Sequence, residues 1–539
     1  MSLARDVTTV GAATLASRLL GFLRDAGIAA ILGAGVLSDA YFAALQIPNL
    51  FRRLLAEGAL NSAFVPMWIR IREESGVEGT RRFSEAALGA VARALGLVTV
   101  LGLLGAPVVV HLIAPGFAST GERFPLAVTF VRLGVPYVGL SGLVAVAASA
   151  LNAQGRVAAA AFGLVVFNGV LVTTVVTLLL VEAEATPFAA AVLSASMVAA
   201  GAAQLLCVGA AWMRTDARPR RLAFTSSPAV RRFLIQAIPG VVAGGIPQLK
   251  LMAGAMVASS SQAAVSWLYY ANRLYELPLG VISIAISSVM VPAIAASLRS
   301  RDGADDAASQ SRALELALAL SLPAATAFAV LSEAIAGGLF QRGAFGPRDT
   351  AMVAAALAAI SAGLPGHSLE KVLGAVSFAH EDTRTPMYAA LCGLASAVTG
   401  AVLMFPHYGA VGIAAAIALS GWVGATLLAT ILWRRGWLRI EPAALRRMPR
   451  IVIATAIMGG AIATGDAGLT SLFDVTGSSL ARIVTLFALV AAGLAVYLGC
   501  LQAFGVASVR ALVAAAVHAM PRRPRARGRY SRCPTAASS

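Results

Sequence analysis

The 539-residue chain is poor in charge, cysteine, histidine and lysine. Only 12% of its residues are charged, against roughly 25% in a soluble domain. That scarcity excludes a surface built for water. A hydrophobic fraction of 58% and a mean hydropathy of +0.81 place the chain in lipid instead. Four scattered cysteines, three of them inside apolar runs, offer neither a disulfide framework nor a metal-ligand spacing. Five dispersed histidines, with no H-E-x-x-H or C-x-x-C pattern, give a metalloenzyme nothing to stand on, so neither metal nor cofactor is expected. Lysine occurs only at Lys250 and Lys371, both inside apolar spans; almost all positive charge is therefore arginine.

What is present is a succession of apolar runs of about 20 residues, each able to cross a ~30 Å hydrocarbon core. We read an all-α polytopic membrane protein of fourteen transmembrane helices, at 7–33, 39–69, 84–113, 125–151, 157–181, 187–213, 232–258, 264–298, 311–335, 349–379, 386–405, 409–433, 450–466 and 478–505. The first run is too long for a cleavable signal and is polar on one side, so it reads as a retained helix. The net charge of +17 does not form a nucleic-acid-binding patch, and no nucleic acid is expected. The arginines gather in alternate connections: Arg70, Arg72, Arg81 and Arg82; six between 214 and 232; six between 434 and 450; seven from Arg510 to Arg532. The opposite connections hold only Arg123, Arg342 and Arg348. This asymmetry places both termini in the cytoplasm.

The chain repeats at a spacing near 227 residues. Asp39-Ala-Tyr-Phe42 aligns with Trp267-Leu-Tyr-Tyr270, Phe64-Val-Pro66 with Met290-Val-Pro292, and Pro136 with Pro365. Six spans per copy return the chain to its starting side, so the copies share one orientation, as in transporters with parallel repeats. The expected organisation is an N-lobe at 1–213, a cytoplasmic linker at 214–231, a C-lobe at 232–433, a second linker at 434–449, an additional helix pair at 450–505 and a basic tail at 506–539 that anchors to anionic lipid headgroups. Two like-oriented bundles meeting at a cleft can rock to open either side in turn.

Charges at membrane depth mark the candidate site. A charged side chain at the bilayer centre costs roughly 2.5–3.5 kcal/mol even on insertion scales, and residues kept at that cost usually line a cavity. In the first span, positions seven apart share a helix face, pairing Ser17 with Arg24 and Arg18 with Asp25 around Gly21. In the second, Asn49, Arg53, Glu57 and Asn61 follow at i, i+4 beside Arg52, and Arg53 can pair with Glu57. In the eighth, Asn272, Arg273 and Glu276 follow two tyrosines. The expected substrate-binding residues are Arg18, Arg24, Arg52 and Arg273. Arg53, Arg93, Arg132 and Arg482 are read as ion-paired or reaching the interface. Arginine suits an anionic, phosphate-bearing cargo, because its planar fork binds phosphate oxygens bidentately and stays charged when desolvated.

Ser17-Arg-Leu-Leu-Gly-Phe-Leu-Arg-Asp25, Ser38-Asp-Ala-Tyr-Phe42, Pro48-Asn-Leu-Phe-Arg-Arg53, Ala63-Phe-Val-Pro66, Val265-Ser-Trp-Leu-Tyr-Tyr-Ala-Asn-Arg273 and Leu339-Phe-Gln-Arg-Gly-Ala-Phe345 together resemble the MurJ/MviN family over roughly residues 1–505. The resemblance implies the fold of the multidrug, oligosaccharidyl-lipid and polysaccharide exporters. It also implies a flippase for lipid II, the undecaprenyl-pyrophosphate-linked peptidoglycan precursor, in the bacterial plasma membrane. Lipid II, membrane lipids and other cell-wall synthesis proteins are the implied partners. Cavity arginines map onto Arg18, Arg24, Arg52 and Arg273, with Asp25, Asp39, Glu57, Ser17, Asn49 and Lys371 in support of cavity or coupling. Membrane potential is the implied driving force, with the coupling ion open, and the last helix pair offers a groove for a polyprenyl tail. The chain departs from the family pattern at Asn272, where Asp is usual, and at Lys250.

Overall fold

The computed structural model describes residues 3–55, 60–119, 121–224, 227–286, 303–472 and 479–506, and among them there are helices and connections but no strand. Glu57, most of the basic tail and the end of the eighth expected span lie outside the described residues. The first half of the chain forms α1 (Leu3–Leu32), α2 (Val36–Leu54), α3 (Leu60–Leu104), α4 (Ala106–Ile113), a 3-10 turn (Pro115–Ser119), α5 (Arg123–Gly134), α6 (Pro136–Ala153), α7 (Val157–Leu180) and α8 (Pro187–Met213). The remainder forms α9 (Pro228–Ala258), α10 (Ala264–Ala285), α11 (Gly303–Val330), α12 (Ser332–Phe340), α13 (Pro347–Ser361), α14 (Leu364–Ala379), α15 (Arg384–Arg434), α16 (Pro442–Leu472) and α17 (Ser479–Ala503).

Local chemistry sets these boundaries. Pro136, Pro187, Pro228 and Pro347 open helices, where a missing N–H costs nothing. The hydroxyls of Thr186 and Ser227 cap α8 and α9 by accepting from Ala189 N and Val230 N, each at 3.2 Å. Gly76 (φ 64°) and Gly409 (φ 56°) break α3 and α15 into two arms apiece, in a left-handed conformation that a side chain would resist.

Among the described residues, nine helical stretches are long and apolar enough to cross a bilayer. The helices α1, α2 and α10 are not among them, because the polar residues that build the site also dilute their hydropathy. The outer surfaces of α1 and α10 are nonetheless apolar. Leu15, Leu19 and Leu23 form an exposed i, i+4, i+8 stripe on α1, opposite Ser17 and Arg24, an arrangement suited to lipid outside and polar groups within.

The first half is bound together by α1 against α7, α3 against α6, and α8 against α5, α6 and α7. In the second half α15 packs on α9, α13 and α14, while α11 packs on α14 and on α16. The halves are joined along α9 and α10, which meet α2; α9 also meets α3. There Phe233 at the start of α9 lies edge-on to Phe64 and Phe83 of α3 at 5.7 and 6.1 Å. The buried carboxylate of Glu85 fixes the connection leading into α9, accepting from Arg220 N at 2.8 Å and from Arg81 at 3.0 Å.

Candidate functional site

A cavity of about 310 Å³ lies between the halves, lined by α1, α2, α7, α8, α9 and α10. The turns of α1 and α2 deliver Ser17, Arg18, Arg24, Asn49, Arg52 and Arg53 to its wall; α10 delivers Arg273 and Glu276. Tyr41, Phe42 and Tyr269 supply aromatic surface, and Gln46, Asn168, Gln248 and Asn272 supply neutral hydrogen-bonding groups.

Asp25, fully buried behind this wall, organises its centre. Its carboxylate accepts from Arg24 Nε at 2.9 Å and Nη2 at 2.7 Å, and from Arg273 Nε, so one acid holds arginines from both halves. Arg24 Nη1 also donates to Asn168 Oδ1 at 3.2 Å, and Asn168 Nδ2 donates to Ser17 Oγ at 3.1 Å. The Ser17/Arg24 face expected from helical spacing is therefore real, and α7 completes it. Three of the five N–H donors of Arg24 are committed in this way, which leaves two for a ligand.

A second pair crosses the halves: Arg53 Nη2 donates to Glu276 Oε1 at 2.6 Å, and Arg273 Nη1 reaches Glu276 Oε2 at 3.5 Å. Two glycines make room for the cations. A β-carbon at Gly21 would stand 3.0 Å from Arg273 Nη2, and one at Gly280 would stand 2.6 Å from Arg18 Nη1. Five arginines against Asp25 and Glu276 give the region a net positive charge of three.

A residue model of known proteins, described as lipid II flippase MurJ, matches residues 28–497. A relative from Rhizobium meliloti (strain 1021), named probable lipid II flippase MurJ, is 41% identical over 511 residues, covering 94% of each chain. The lipid II flippase MurJ of Burkholderia cenocepacia is 30% identical over 513 residues, covering 94% of this chain and 98% of its own. The chain belongs to the lipid II flippase MurJ family. A solved lipid II flippase MurJ in an inward closed conformation shares the fold with a TM-score of 0.77 at 22% identity, covering 94% of this chain and 99% of that one. An inward-facing multidrug resistance transporter of the MOP superfamily follows with a TM-score of 0.66 at 13% identity, covering 81% and 95%. As the MurJ family and the apolar helices require, this is a multi-pass protein of the bacterial inner membrane.

Within this MurJ-family chain the structure brings together Ser17, Arg18, Arg24, Asn49, Arg52 and Arg273, with Asp25 beneath them. Two expected residues stand apart. Asp39 is fully buried but lies outside the cavity wall: it accepts from Ala263 N at 2.7 Å, Ser266 N at 3.0 Å and Ser266 Oγ at 2.6 Å. Those amides open α10, whose own N-cap, Ala263, supplies no side-chain oxygen, so Asp39 of α2 caps a helix of the other half. Buried Arg123, expected in a solvated connection, completes this clasp 3.5 Å from Asp39 and 3.0 Å from Ser261 O. Lys371 also misses the cavity, for its exposed side chain donates to Ser283 Oγ. Glu57 falls outside the described residues, and Arg53 pairs with Glu276 of α10. Asn168, Gln248 and Tyr269 were not anticipated. Asn168 did carry a signal, being the one carboxamide in the apolar run 157–180.

Proposed function

We propose that this protein moves lipid II from the inner to the outer leaflet of the bacterial plasma membrane by alternating access, with no covalent chemistry. The observation that carries the reading is the cationic cavity shared by both halves. Five guanidinium groups suit a pyrophosphate, which takes paired N–H donors in the plane of each fork. The muropeptide sugars meet Tyr41, Tyr269, Gln46 and Asn49, and the polyprenyl tail stays in lipid, against the groove of the last helix pair.

The ion pairs supply a trigger. Asp25–Arg273 and Arg53–Glu276 bind the halves together in the absence of cargo. An entering pyrophosphate competes with both carboxylates for the same arginines, exchanging contacts across the cleft for contacts to the ligand. The halves are then released to rock, and cargo leaves on the outer side. Membrane potential resets the carrier, since each charge moved across the membrane is worth about 2.3 kcal/mol per 100 mV. An exporter of cationic drugs on this fold needs cavity acids in excess, and here arginines exceed acids.

The reading includes fourteen spans in two parallel six-helix lobes, 1–213 and 232–433, with linkers 214–231 and 434–449, an additional pair at 450–505, a basic tail at 506–539 and both termini cytoplasmic. Contacts between equivalent positions support the duplication. Ser38 and Ser266, 228 residues apart, have their hydroxyls 2.9 Å apart. Phe42 stacks on Tyr269 at 3.8 Å and meets Tyr270 edge-on at 5.1 Å. Two copies around an axis along the membrane normal bring such pairs face to face. Complementation tests the reading: in cells depleted of their own flippase, Arg24→Ala and Arg273→Ala fail to restore growth at wild-type expression, and full rescue by both removes the cavity from the mechanism.

A further inference from the structure

The second half of the chain encloses a polar cluster that the arginine cavity does not use. Lys250, one of the two lysines, is 7% exposed inside the bundle. Its neighbours Gln248 and Leu251 line the cavity, while its own ammonium turns towards α15. Three glycines of α15 are placed where side chains would collide with this cluster. A β-carbon at Gly393 would stand 3.0 Å from Lys250 Nζ, one at Gly421 would stand 2.6 Å from His367 Nδ1, and one at Gly424 would stand 2.7 Å from the carboxyl carbon of Glu370. The room left by glycine is filled in each case by a titratable group from α9 or α14.

The charges do not match in number. Glu370 is the one charged group acting on Lys250, and it is shared with Lys371. Among the described residues no carboxylate lies within the 4 Å of an ion pair from either lysine. His367 faces the same two lysines and sits 2.8 Å from the Tyr275 hydroxyl on α10. Tyr275 follows Arg273 by two residues and precedes Glu276, which also faces Lys371. The described part of α15 places no charged side chain against Lys250.

We propose that Lys250, Glu370 and His367 form a proton-exchange site, separate from the arginine cavity and joined to it through α9 and Tyr275. Fully protonated at its lysines, the cluster of Lys250, Lys371 and Glu370 carries one unmatched positive charge; releasing one proton to water neutralises it. The exchanged proton belongs to the cluster, not to a single side chain. The charge change is felt on α9, whose next turn touches cargo, and on α10 through the Tyr275–His367 hydrogen bond. The proposal rests on the transport reading for its purpose, since it supplies the ion that the carrier exchanges, but the site itself can be tested without cargo.

The test uses the full chain in lipid nanodiscs and compares wild type, Lys250→Met and Lys250→Arg. Arginine keeps the charge but cannot release the proton. Thermal midpoints are followed between about pH 6 and pH 9, where a proton that the folded cluster releases and the unfolded chain keeps on its lysine makes stability rise with pH. The expected result is a wild-type slope that both variants lose while remaining folded; parallel profiles for all three overturn the site. In proteoliposomes carrying lipid II, one proton per cycle lets a gradient of one pH unit change the transport ratio by up to about tenfold. Wild type should respond to reversal of the gradient, and Lys250→Met should transport without responding. A wild-type response retained in Lys250→Met overturns the coupling. Failure of the wild type to move lipid II overturns the transport reading, while the nanodisc slopes still decide the proton site.

Discussion

Replacing Asp39 should loosen the end of the molecule where α1 meets α2. Its carboxylate takes three hydrogen bonds from the start of α10 and faces buried Arg123, so it holds the halves together by capping one with the other. Hydrogen bonds to a charged group are worth about 1.5–3 kcal/mol each. Asn at 39 keeps one acceptor oxygen but loses the charge, which should cost the joined state about 2–3 kcal/mol. Ala at 39 also takes away the carboxylate that faces buried Arg123, raising the cost to about 3–5 kcal/mol. A change of 3 kcal/mol multiplies the ratio of separated to joined molecules by about 150. The assay is electron–electron resonance between spin labels at Glu182→Cys and Arg348→Cys, exposed positions at this end of the two halves, with the native cysteines replaced by serine. Wild type should give one short distance. Asp39→Asn should add a longer population, and Asp39→Ala should be dominated by it. Identical distance distributions in all three proteins would refute the clasp.

Gly280→Ala should impair lipid II transport at least tenfold while leaving the thermal midpoint nearly unchanged, because its β-carbon displaces only the flexible end of Arg18; unimpaired transport in proteoliposomes would show that the position of Arg18 is immaterial. Glu85→Ala should lower stability by about 2–3 kcal/mol in thermal unfolding, since it frees the connection into α9 and leaves Arg81 without its buried partner. At the turn before α15, the Thr385 hydroxyl, the Thr385 amide, Arg435 and the Arg384 amide hold the pKa of Asp382 at about 2, below its ordinary value of 3.8. A depressed carboxylate contributes stability above its unfolded pKa and loses it as pH falls through the folded value. The midpoint of the wild type should therefore fall more steeply than that of Asp382→Asn between pH 4 and about pH 2.

Much of the site was legible because it obeys helical spacing. Ser17 and Arg24 share a face of α1, and Asn49, Arg52 and Arg53 cluster on α2, as period 3.6 requires. Partners distant in sequence were not legible. Spacing offers Arg53 a local partner in Glu57, which lies outside the described residues, but its pair with Glu276, 223 residues away, could not be read from the sequence. Asp39 sits in a motif that suggests a cavity acid, and its use as a cap for α10 shows only once Ala263 and Ser266 are brought beside it. Lys371 reaches Ser283 of α10 and is not among the residues lining the cavity, a placement that an apolar run does not reveal. Nine helical stretches among the described residues are long and apolar enough to cross a bilayer, as hydropathy led us to expect, whereas α1, α2, α9 and α10 form as helices without reaching that measure.

The most direct measurement is the outer-leaflet exposure of lipid II in cells whose only flippase is this protein. Depleting it should abolish the lipid II reached by an external, membrane-impermeant probe while total lipid II persists, and re-expression of wild type should restore access where Arg273→Ala does not. Undiminished access after depletion, or full restoration by Arg273→Ala, would contradict the account.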